Sequence, residues 1–267
     1  MSPFFLTFAE NMTDKDMTDR PLILITNDDG ILAQGIQELT SLMCRLGDVV
    51  VVAPDGARSG MACAISAVTP VRLQPVGPQK PALRRLQCSG TPVDCVKLAL
   101  EQVAGRKPDL LVSGINHGDN ASVSMHYSGT IGAVLEGCMK GIPSVGFSLR
   151  TRRQECDFLP YRQVVLDTVS YVLERGLPQD VCLNVNFPEV DSLQGVNVCR
   201  MARGNWVEEW EPADKDSFRL TGRFVNLEPE AEDTDYWALD HGRASITPLR
   251  IDATAYPVLA ALKALES

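Results

Sequence analysis

Two adjacent acidic residues follow a short apolar run near the start of the sequence. Asp28 and Asp29 come directly after PLILITN (21–27) and before a glycine. Neighbouring carboxylates can hold a hard cation such as Mg²⁺ or accept a proton from an attacking water molecule. An acidic pair beside glycine is also typical of a turn that caps the next helix, and Asn27 is equally typical of a turn.

Two further oxygen donors lie in loops that follow other apolar runs. Ser59 belongs to the loop after DVVVVAP (48–54), and Asn116 to the polar stretch after PDLLVSG (108–114). A hydroxyl and an amide oxygen complete, with the two carboxylates, a set of hard donors that suits one Mg²⁺ or Mn²⁺ ion. Taken singly, such a serine is an ordinary surface residue and such an asparagine a turn former. Only their joint placement after three separate runs favours a metal site.

The three histidines do not favour zinc. No H-E-x-x-H spacing connects them, so local motifs cannot assemble a histidine-rich zinc site. They are His117, His126 and His241.

A third kind of site lies at the start of a predicted helix. Ser128, Gly129 and Thr130 open SGTIGAVLEGCMKG (128–141) after a polar loop. The first turn of a helix presents free main-chain N–H groups and a dipole that favours an anion, so the segment predicts a phosphate cradle. Simple N-capping by Ser128 is the structural alternative.

The elements that must position these residues alternate along the chain. Buried strands are predicted at 21–27, 48–54, 108–114, 142–149 and 181–187, with weaker extended segments at 68–75 and 85–89 and helices at 35–46, 92–103 and 128–141. This order predicts a doubly wound, mainly parallel, Rossmann-like α/β sheet. In such sheets ligands bind at the carboxyl ends of the strands, which is where all the candidate residues lie.

The chain is expected to form one domain over 21–267. Residues 1–20 are expected to be a disordered extension, and a β-rich excursion is expected over about 189–252. A strand at 244–251 and a helix at about 255–265 should complete the domain. Trp206 and Trp210 in the excursion are consistent with a subunit contact or with ordinary packing of a hairpin.

Composition limits the partners. A formal net charge of −9 argues against binding a nucleic acid duplex, because such binding is dominated by clustered Lys and Arg. No apolar stretch is long enough to span a bilayer, and the first residues lack the basic start of a secretory signal. The eight cysteines form no C-x-x-C pair and are expected to be reduced, so a cytoplasmic protein without a membrane anchor is predicted.

Seven segments in order carry a family resemblance. They are ILITNDDGI, VVAPDGARSG, GTPVDCVKLAL, LVSGINHGDN, HYSGTIGAVLEG, LNVNFP and SITPL. Together, over roughly residues 21–252, they resemble the survival protein SurE nucleotidases. The resemblance implies metal-dependent hydrolysis of nucleoside 5′- and 3′-monophosphates, in some relatives also of short polyphosphate, by a homodimer or homotetramer.

By the same resemblance the metal ligands fall on the four residues already selected, which are Asp28, Asp29, Ser59 and Asn116. Asp28 or Asp29 is also the expected general base. Substrate contacts are expected from Asn27, Asn116, Ser128, Gly129 and Thr130. The chain departs from many relatives at GAR (56–58), MACAIS (61–66) and DHGRA (240–244), which leaves the base preference and any substrate contact by the last strand open.

Three other functions compete with this one. A haloacid-dehalogenase-type phosphatase needs a second Asp two residues after the first, which the adjacent pair does not provide. A nucleotide-binding regulatory module without hydrolysis fits the same core and stays open as the alternative function. A dinucleotide oxidoreductase is disfavoured, because no G-x-G-x-x-G follows the first strand.

Overall fold

The computed structural model describes residues 20–80, 82–151, 153 and 155–266. The expected disorder of residues 1–20 falls outside this part of the chain except for Arg20. In the described part, the strands are β1 (Leu22–Thr26), β2 (Asp48–Pro54), β3 (Leu73–Pro75), β4 (Leu83–Cys88), β5 (Leu110–His117), β6 (Ser144–Arg150), β7 (Val181–Pro188), β8 (Val196–Val198), β9 (Gly204–Val207), β10 (Trp210–Asp214), β11 (Ser217–Leu220), β12 (Arg223–Asn226) and β13 (Ala244–Arg250). The helices are α1 (Gln34–Met43), α2 (Pro92–Leu98), α3 (Gly129–Met139), α4 (Arg162–Arg175), α5 (Asp235–Asp240) and α6 (Tyr256–Leu262).

A nine-stranded sheet forms the centre, in the order β3-β4-β2-β1-β5-β6-β7-β13-β8. The six strands from β4 to β7 in this order are parallel, whereas β3 and β13 run antiparallel to β4 and β7. The chain builds outward from β1 to β2 and β4, and then returns to the other side of β1 at β5. The order of strands therefore reverses between β1 and β5, and a crevice for ligands is expected at their carboxyl ends.

Two apolar layers cover the sheet, one on each face. Alternate residues of a strand point to opposite faces, so Ile23 and Ile25 of β1 join one core while Leu22 and Leu24 join the other. The first core includes residues of α1 and α4, and the second includes residues of α2 and α3. Burial on both faces explains why the central strands are continuous apolar runs. The predicted doubly wound, mainly parallel α/β fold is confirmed.

Several element boundaries differ from the predicted ones. Strand β5 continues through Asn116 and His117, because these residues pair with Ser148 and Leu149 of β6 after an irregularity. Asn116 was predicted to lie in a loop, because the polar residues around it do not show the apolar pattern of a buried strand. The predicted helix 92–103 is present as α2 followed by a π-helical turn at Ala99–Val103. Helices α4 and α5 were not individually predicted.

The part of the chain after β7 both extends the main sheet and leaves it. Strands β8 and β13 lie in the main sheet, whereas β10 pairs with β11 and β9 with β12 in two separate antiparallel ribbons. Trp206 packs edge-on against Phe224 and donates to the Ser124 hydroxyl at 3.3 Å, whereas Trp210 is exposed. Within the described part of the chain, every helix is too short or too polar to cross a membrane.

Candidate metal and phosphate site at the strand ends

The acidic pair lies in a tight turn that the neighbouring residues shape. Asn27 is fully buried, and its side-chain amide donates to the Gly30 carbonyl at 3.0 Å while its Oδ1 accepts from the Gly30 amide at 3.2 Å. Gly30 has a φ of +102°, which favours glycine. The structure thus places Asn27 inside the turn that presents Asp28 and Asp29, and its predicted contact with substrate stays a prediction.

Asp28 is enclosed by the start of α3. The Thr130 hydroxyl donates to Asp28 Oδ1 at 2.5 Å, and only 4% of Asp28 is exposed. A Cβ at Gly129 would lie 2.9 Å from the Cβ of Asp28, so this approach requires glycine. Burial raises the pKa of Asp28 to about 6; the hydrogen bond from Thr130 lowers it, and the nearby charge of Asp29 raises it.

Asp29 reaches across to the end of β5. Its Oδ2 accepts from the His117 amide at 3.1 Å and lies 3.4 Å from His117 Nδ1. The ring of His117 packs edge-on against Phe158, with centroids 6.0 Å apart. This contact joins the turn after β1 to the residue that follows Asn116.

Asn116 is oriented by its own loop. Its side-chain amide donates to the Gly118 carbonyl at 2.8 Å. No hydrogen bond from a described residue reaches its Oδ1, which therefore stays available as an oxygen donor.

Ser59 lies in the loop that approaches Asp28 from β2. The Arg58 amide donates to the Asp28 carbonyl at 2.7 Å, and the Ile31 amide donates to the Pro54 carbonyl at 2.8 Å. Ser59 itself is exposed. Main-chain bonds therefore hold the loop of Ser59 against the acidic turn, one residue away from the predicted ligand.

The two hydroxyls at the start of α3, predicted to contact substrate, are both bonded within the protein. The Ser128 hydroxyl accepts from the Ile131 amide at 3.1 Å as an N-cap, and the Thr130 hydroxyl is bonded to Asp28. The N-cap alternative for Ser128 is thus observed. A capped helix start still offers first-turn N–H groups to an anion, and the phosphate cradle stays a prediction. The hydrogen bond from Thr130 to Asp28 joins this helix start to the acidic pair.

The charges of the described residues leave the acidic pair without a fixed cation. No Lys or Arg forms an ion pair with Asp28 or Asp29, and His117 is the one basic side chain within 4.0 Å of either carboxylate among the described residues. A divalent ion is a natural partner for two such carboxylates, and the hydroxyl and amide oxygens beside them fit the same hard ion. No group of three or more His, Cys, Asp or Glu suited to a metal occurs in the described part of the chain.

His117 and Arg58 also contact the acidic turn, and neither has a role predicted from the sequence. Both contact the acidic turn through their main-chain amides, and the residue type does not reveal such contacts. Their only signal was their place next to the predicted ligands Asn116 and Ser59.

Comparisons with known proteins agree with this architecture. The family model for the survival protein SurE matches residues 23–208. A protein named 5′-nucleotidase SurE from Phocaeicola vulgatus is 50% identical over 249 residues, covering 92% of this chain and 96% of its own. A protein of the same name from Bacteroides thetaiotaomicron is 50% identical over 241 residues, covering 89% and 93%.

A solved structure is also similar. The crystal structure of a SurE protein from Aquifex aeolicus superposes with a TM-score of 0.78 at 35% identity, covering 92% of this chain and all of that one. With the family model and these relatives covering most of the sequence, the chain belongs to the survival protein SurE family.

Proposed function

We propose that the chain is a metal-dependent 5′-nucleotidase that hydrolyses nucleoside 5′-monophosphates to nucleoside and phosphate. The relatives from Phocaeicola vulgatus and Bacteroides thetaiotaomicron bear the name of this activity. The observation that carries the proposal is the position of Asp28 and Asp29 at the reversal of strand order, bonded to the start of α3 and to the end of β5. A phosphate monoester, a cation and water are the partners that suit this arrangement.

Asp28, Asp29, Ser59 and Asn116 would hold one Mg²⁺ or Mn²⁺ ion. When bound, such an ion neutralises developing negative charge and lowers the pKa of a water molecule. Thr130 fixes the orientation of Asp28 through its hydroxyl, and Gly118 fixes the amide of Asn116. One carboxylate of the pair also accepts the proton of the attacking water, which gives the acidic turn its second role.

The phosphate group of the substrate meets the start of α3. Because the hydroxyls of Ser128 and Thr130 are engaged within the protein, the first-turn main-chain N–H groups, beginning at Gly129, hold the non-bridging oxygens. The absence of a side chain at Gly129 keeps this approach open beside Asp28. In-line attack by water then expels the nucleoside.

The proposal extends to nucleoside 3′-monophosphates and short polyphosphate, on the family resemblance alone. We also propose that the protein acts as a homodimer or homotetramer in the cytoplasm and does not act on duplex nucleic acid. Each of these parts can be wrong while the 5′-nucleotidase proposal stands.

A phosphate-release assay tests the activity. Purified full-length protein is incubated with AMP, GMP and CMP in Mg²⁺, in Mn²⁺ and in EDTA, and free phosphate is measured. We expect release with either metal and its loss in EDTA. The variant Asp29→Asn should lose activity by at least about 100-fold, as removal of a group acting on the reacting water does, whereas Asp167→Asn on the outer helix α4 should match the wild type.

The same assay separates hydrolysis from nucleotide sensing. A regulatory module would bind AMP, measurable by calorimetry, yet release no phosphate with any metal. That result would remove the nucleotidase proposal and favour the alternative.

A further inference from the structure

The loop between β5 and α3 connects the two halves of the proposed site. This loop, residues 118–127, lies between His117, which ends β5, and Ser128, and it includes a 3₁₀ helix at Ser122–Tyr127. The Gly118 carbonyl of this segment accepts the hydrogen bond that orients the Asn116 side chain, so the position of the segment affects the predicted metal ligand. What fixes the middle of the loop therefore bears on the reaction.

Two asparagines of β7 hold the main chain of Asn120. Asn186 Oδ1 accepts from the Asn120 amide at 2.7 Å, and Asn184 Nδ2 donates to the Asn120 carbonyl at 2.8 Å. The two asparagines are themselves joined, because Asn186 Nδ2 donates to Asn184 Oδ1 at 2.9 Å. Both are fully buried, and both main-chain polar groups of Asn120 are thereby satisfied.

A buried carboxylate of α5 holds the loop two residues further on. Asp235 Oδ2 accepts from the Ser122 amide at 2.8 Å, and Oδ1 accepts from the amides of Ala202 at 2.9 Å and Tyr236 at 2.8 Å. The Ser122 hydroxyl donates to the Ala202 carbonyl at 2.7 Å, and Ser122 has a φ of +51°. The loop thus takes a conformation that serine rarely adopts, and the contacts of Asp235 and Ala202 maintain it.

These side chains are costly in the places they occupy. A buried amide or carboxylate is tolerated only when its hydrogen bonds are satisfied. The polar groups are directed at the main chain of one loop. That loop is the one that joins the predicted metal ligand to the predicted phosphate cradle.

We propose that Asn184, Asn186 and Asp235 are positioning residues for hydrolysis, which act by holding residues 120–122 so that Asn116 and the start of α3 keep their relative places. The inference rests on the proposed function for the chemistry that it serves. None of the three residues contacts the acidic pair directly, so their effect passes through the loop. Mutation of residues that hold metal ligands in place typically lowers metal affinity or activity by about 10- to 100-fold.

The test compares Asn186→Leu with Asn186→Asp in the full-length protein. Leucine removes both hydrogen bonds of Asn186, whereas aspartate keeps an acceptor for the Asn120 amide. Mn²⁺ affinity is measured directly by electron paramagnetic resonance, and kcat and KM for AMP are measured at saturating Mn²⁺. We expect Asn186→Leu to weaken Mn²⁺ binding about tenfold or more and to lower kcat, with Asn186→Asp retaining more of both.

A matched control comes from the edge of the same sheet. Asn197 of β8 accepts from Arg243 Nε at 2.6 Å, and β13 separates its strand from β7. The change Asn197→Leu should lower thermal stability while leaving Mn²⁺ affinity and kcat as in the wild type. A merely structural role for Asn186 would give the same pattern.

The possible outcomes distinguish the positioning role from the proposed nucleotidase activity. If wild-type protein hydrolyses AMP with Mn²⁺ but the folded Asn186 variants bind Mn²⁺ and turn over as the wild type does, the positioning role is overturned and the nucleotidase stands. A wild type that neither binds Mn²⁺ nor releases phosphate overturns both. Should Asn186→Leu fail to fold, Asp235→Asn tests the second anchor, because it removes one of the two acceptor oxygens that hold Ser122 and Ala202. Unchanged Mn²⁺ affinity and kcat in folded Asp235→Asn would then overturn the proposal.

Discussion

The Asp28 carboxylate lies where burial opposes its charge. The enclosing residues raise its pKa to about 6, and no described Lys or Arg offers a compensating ion pair. What the protein does supply is orientation, through the Thr130 hydroxyl and the close approach of Gly129. At the scale of single residues, the site is built to direct a carboxylate that needs a cation.

Replacing Thr130 by valine tests that orientation. The valine keeps the shape of the side chain but removes the donor to Asp28 Oδ1. A hydrogen bond to a charged group contributes about 1.5–3 kcal/mol, so kcat/KM for AMP should fall roughly 10- to 100-fold. Thr130→Ser keeps the hydroxyl and should retain most activity; equal losses in both variants would contradict the assigned role.

Replacing Gly129 by alanine tests the close approach. The new Cβ would lie 2.9 Å from the Cβ of Asp28 and 3.1 Å from its Oδ2. We expect kcat to fall by about tenfold or more, because small displacements of catalytic groups are costly. Gly56→Ala is the control, since a Cβ there meets only the Arg58 side chain at 3.9 Å. Phosphate release by Gly129→Ala at the wild-type rate would show that the contact is unimportant.

Helix α2 shows how one element fixes a loop of the site. Asp94 closes a capping box with Thr91, accepting from the Thr91 amide at 2.9 Å, and also accepts from the Ser66 amide at 3.1 Å. Ser66 belongs to the same connection between β2 and β3 as Ser59. The cap of α2 therefore ties down the segment that carries a predicted metal ligand.

The change Asp94→Ala should destabilise the fold by about 1–2 kcal/mol at pH 7, as loss of an N-terminal cap does. Burial raises the pKa of Asp94, but the hydrogen bonds from Ser66 and Thr91 outweigh it, so the net pKa is lowered. A lowered folded pKa stabilises the native state above the unfolded value of about 3.9, and this contribution disappears as pH falls through the folded pKa.

Urea unfolding of wild type and Asp94→Ala between pH 7 and pH 3 measures this dependence. The difference in unfolding free energy should be constant down to about pH 5 and then shrink toward pH 3. A difference that grows on acidification would contradict the lowered pKa of Asp94.

At the scale of the whole molecule, two elements of the described chain each carry several exposed apolar side chains. Every described residue of α6 is exposed, including Val258, Leu259 and Leu262. The ribbon of β10 and β11 also exposes Trp210 and Phe218. Contiguous apolar surface of this kind is typical of contacts between subunits.

We expect the full-length protein to be a homodimer or homotetramer, as proposed above. Replacing Trp210 and Phe218 by serine should lower its mass in light scattering after size exclusion if the ribbon contributes to the contact. The matched pair Tyr171→Ser and Leu159→Ser removes exposed apolar side chains elsewhere and should leave the mass unchanged. A monomeric wild type would contradict the expectation altogether.

The sequence by itself determined the fold class and the places where chemistry would gather. Continuous apolar runs such as LILIT of β1 and VVVVA within β2 specify strands buried on both faces, because burial depends on local residue type. Polar residues directly after such runs mark the carboxyl edge of a parallel sheet. Asp28, Asp29, Ser59 and Asn116 followed from that rule, although their roles as ligands stay predictions.

Only the tertiary structure decided how the loops are held at that edge. The Asn184 and Asn186 contacts with Asn120 span more than 60 residues of sequence, and that of Asp235 with Ser122 spans 113. Such bonds go to main-chain groups, which every residue carries, so no residue type at 120 or 122 announces them. The hydrogen bond from the Thr130 hydroxyl to Asp28 joins two side chains, and it was hidden for a different reason: the partner of a side chain depends on where distant segments meet in space.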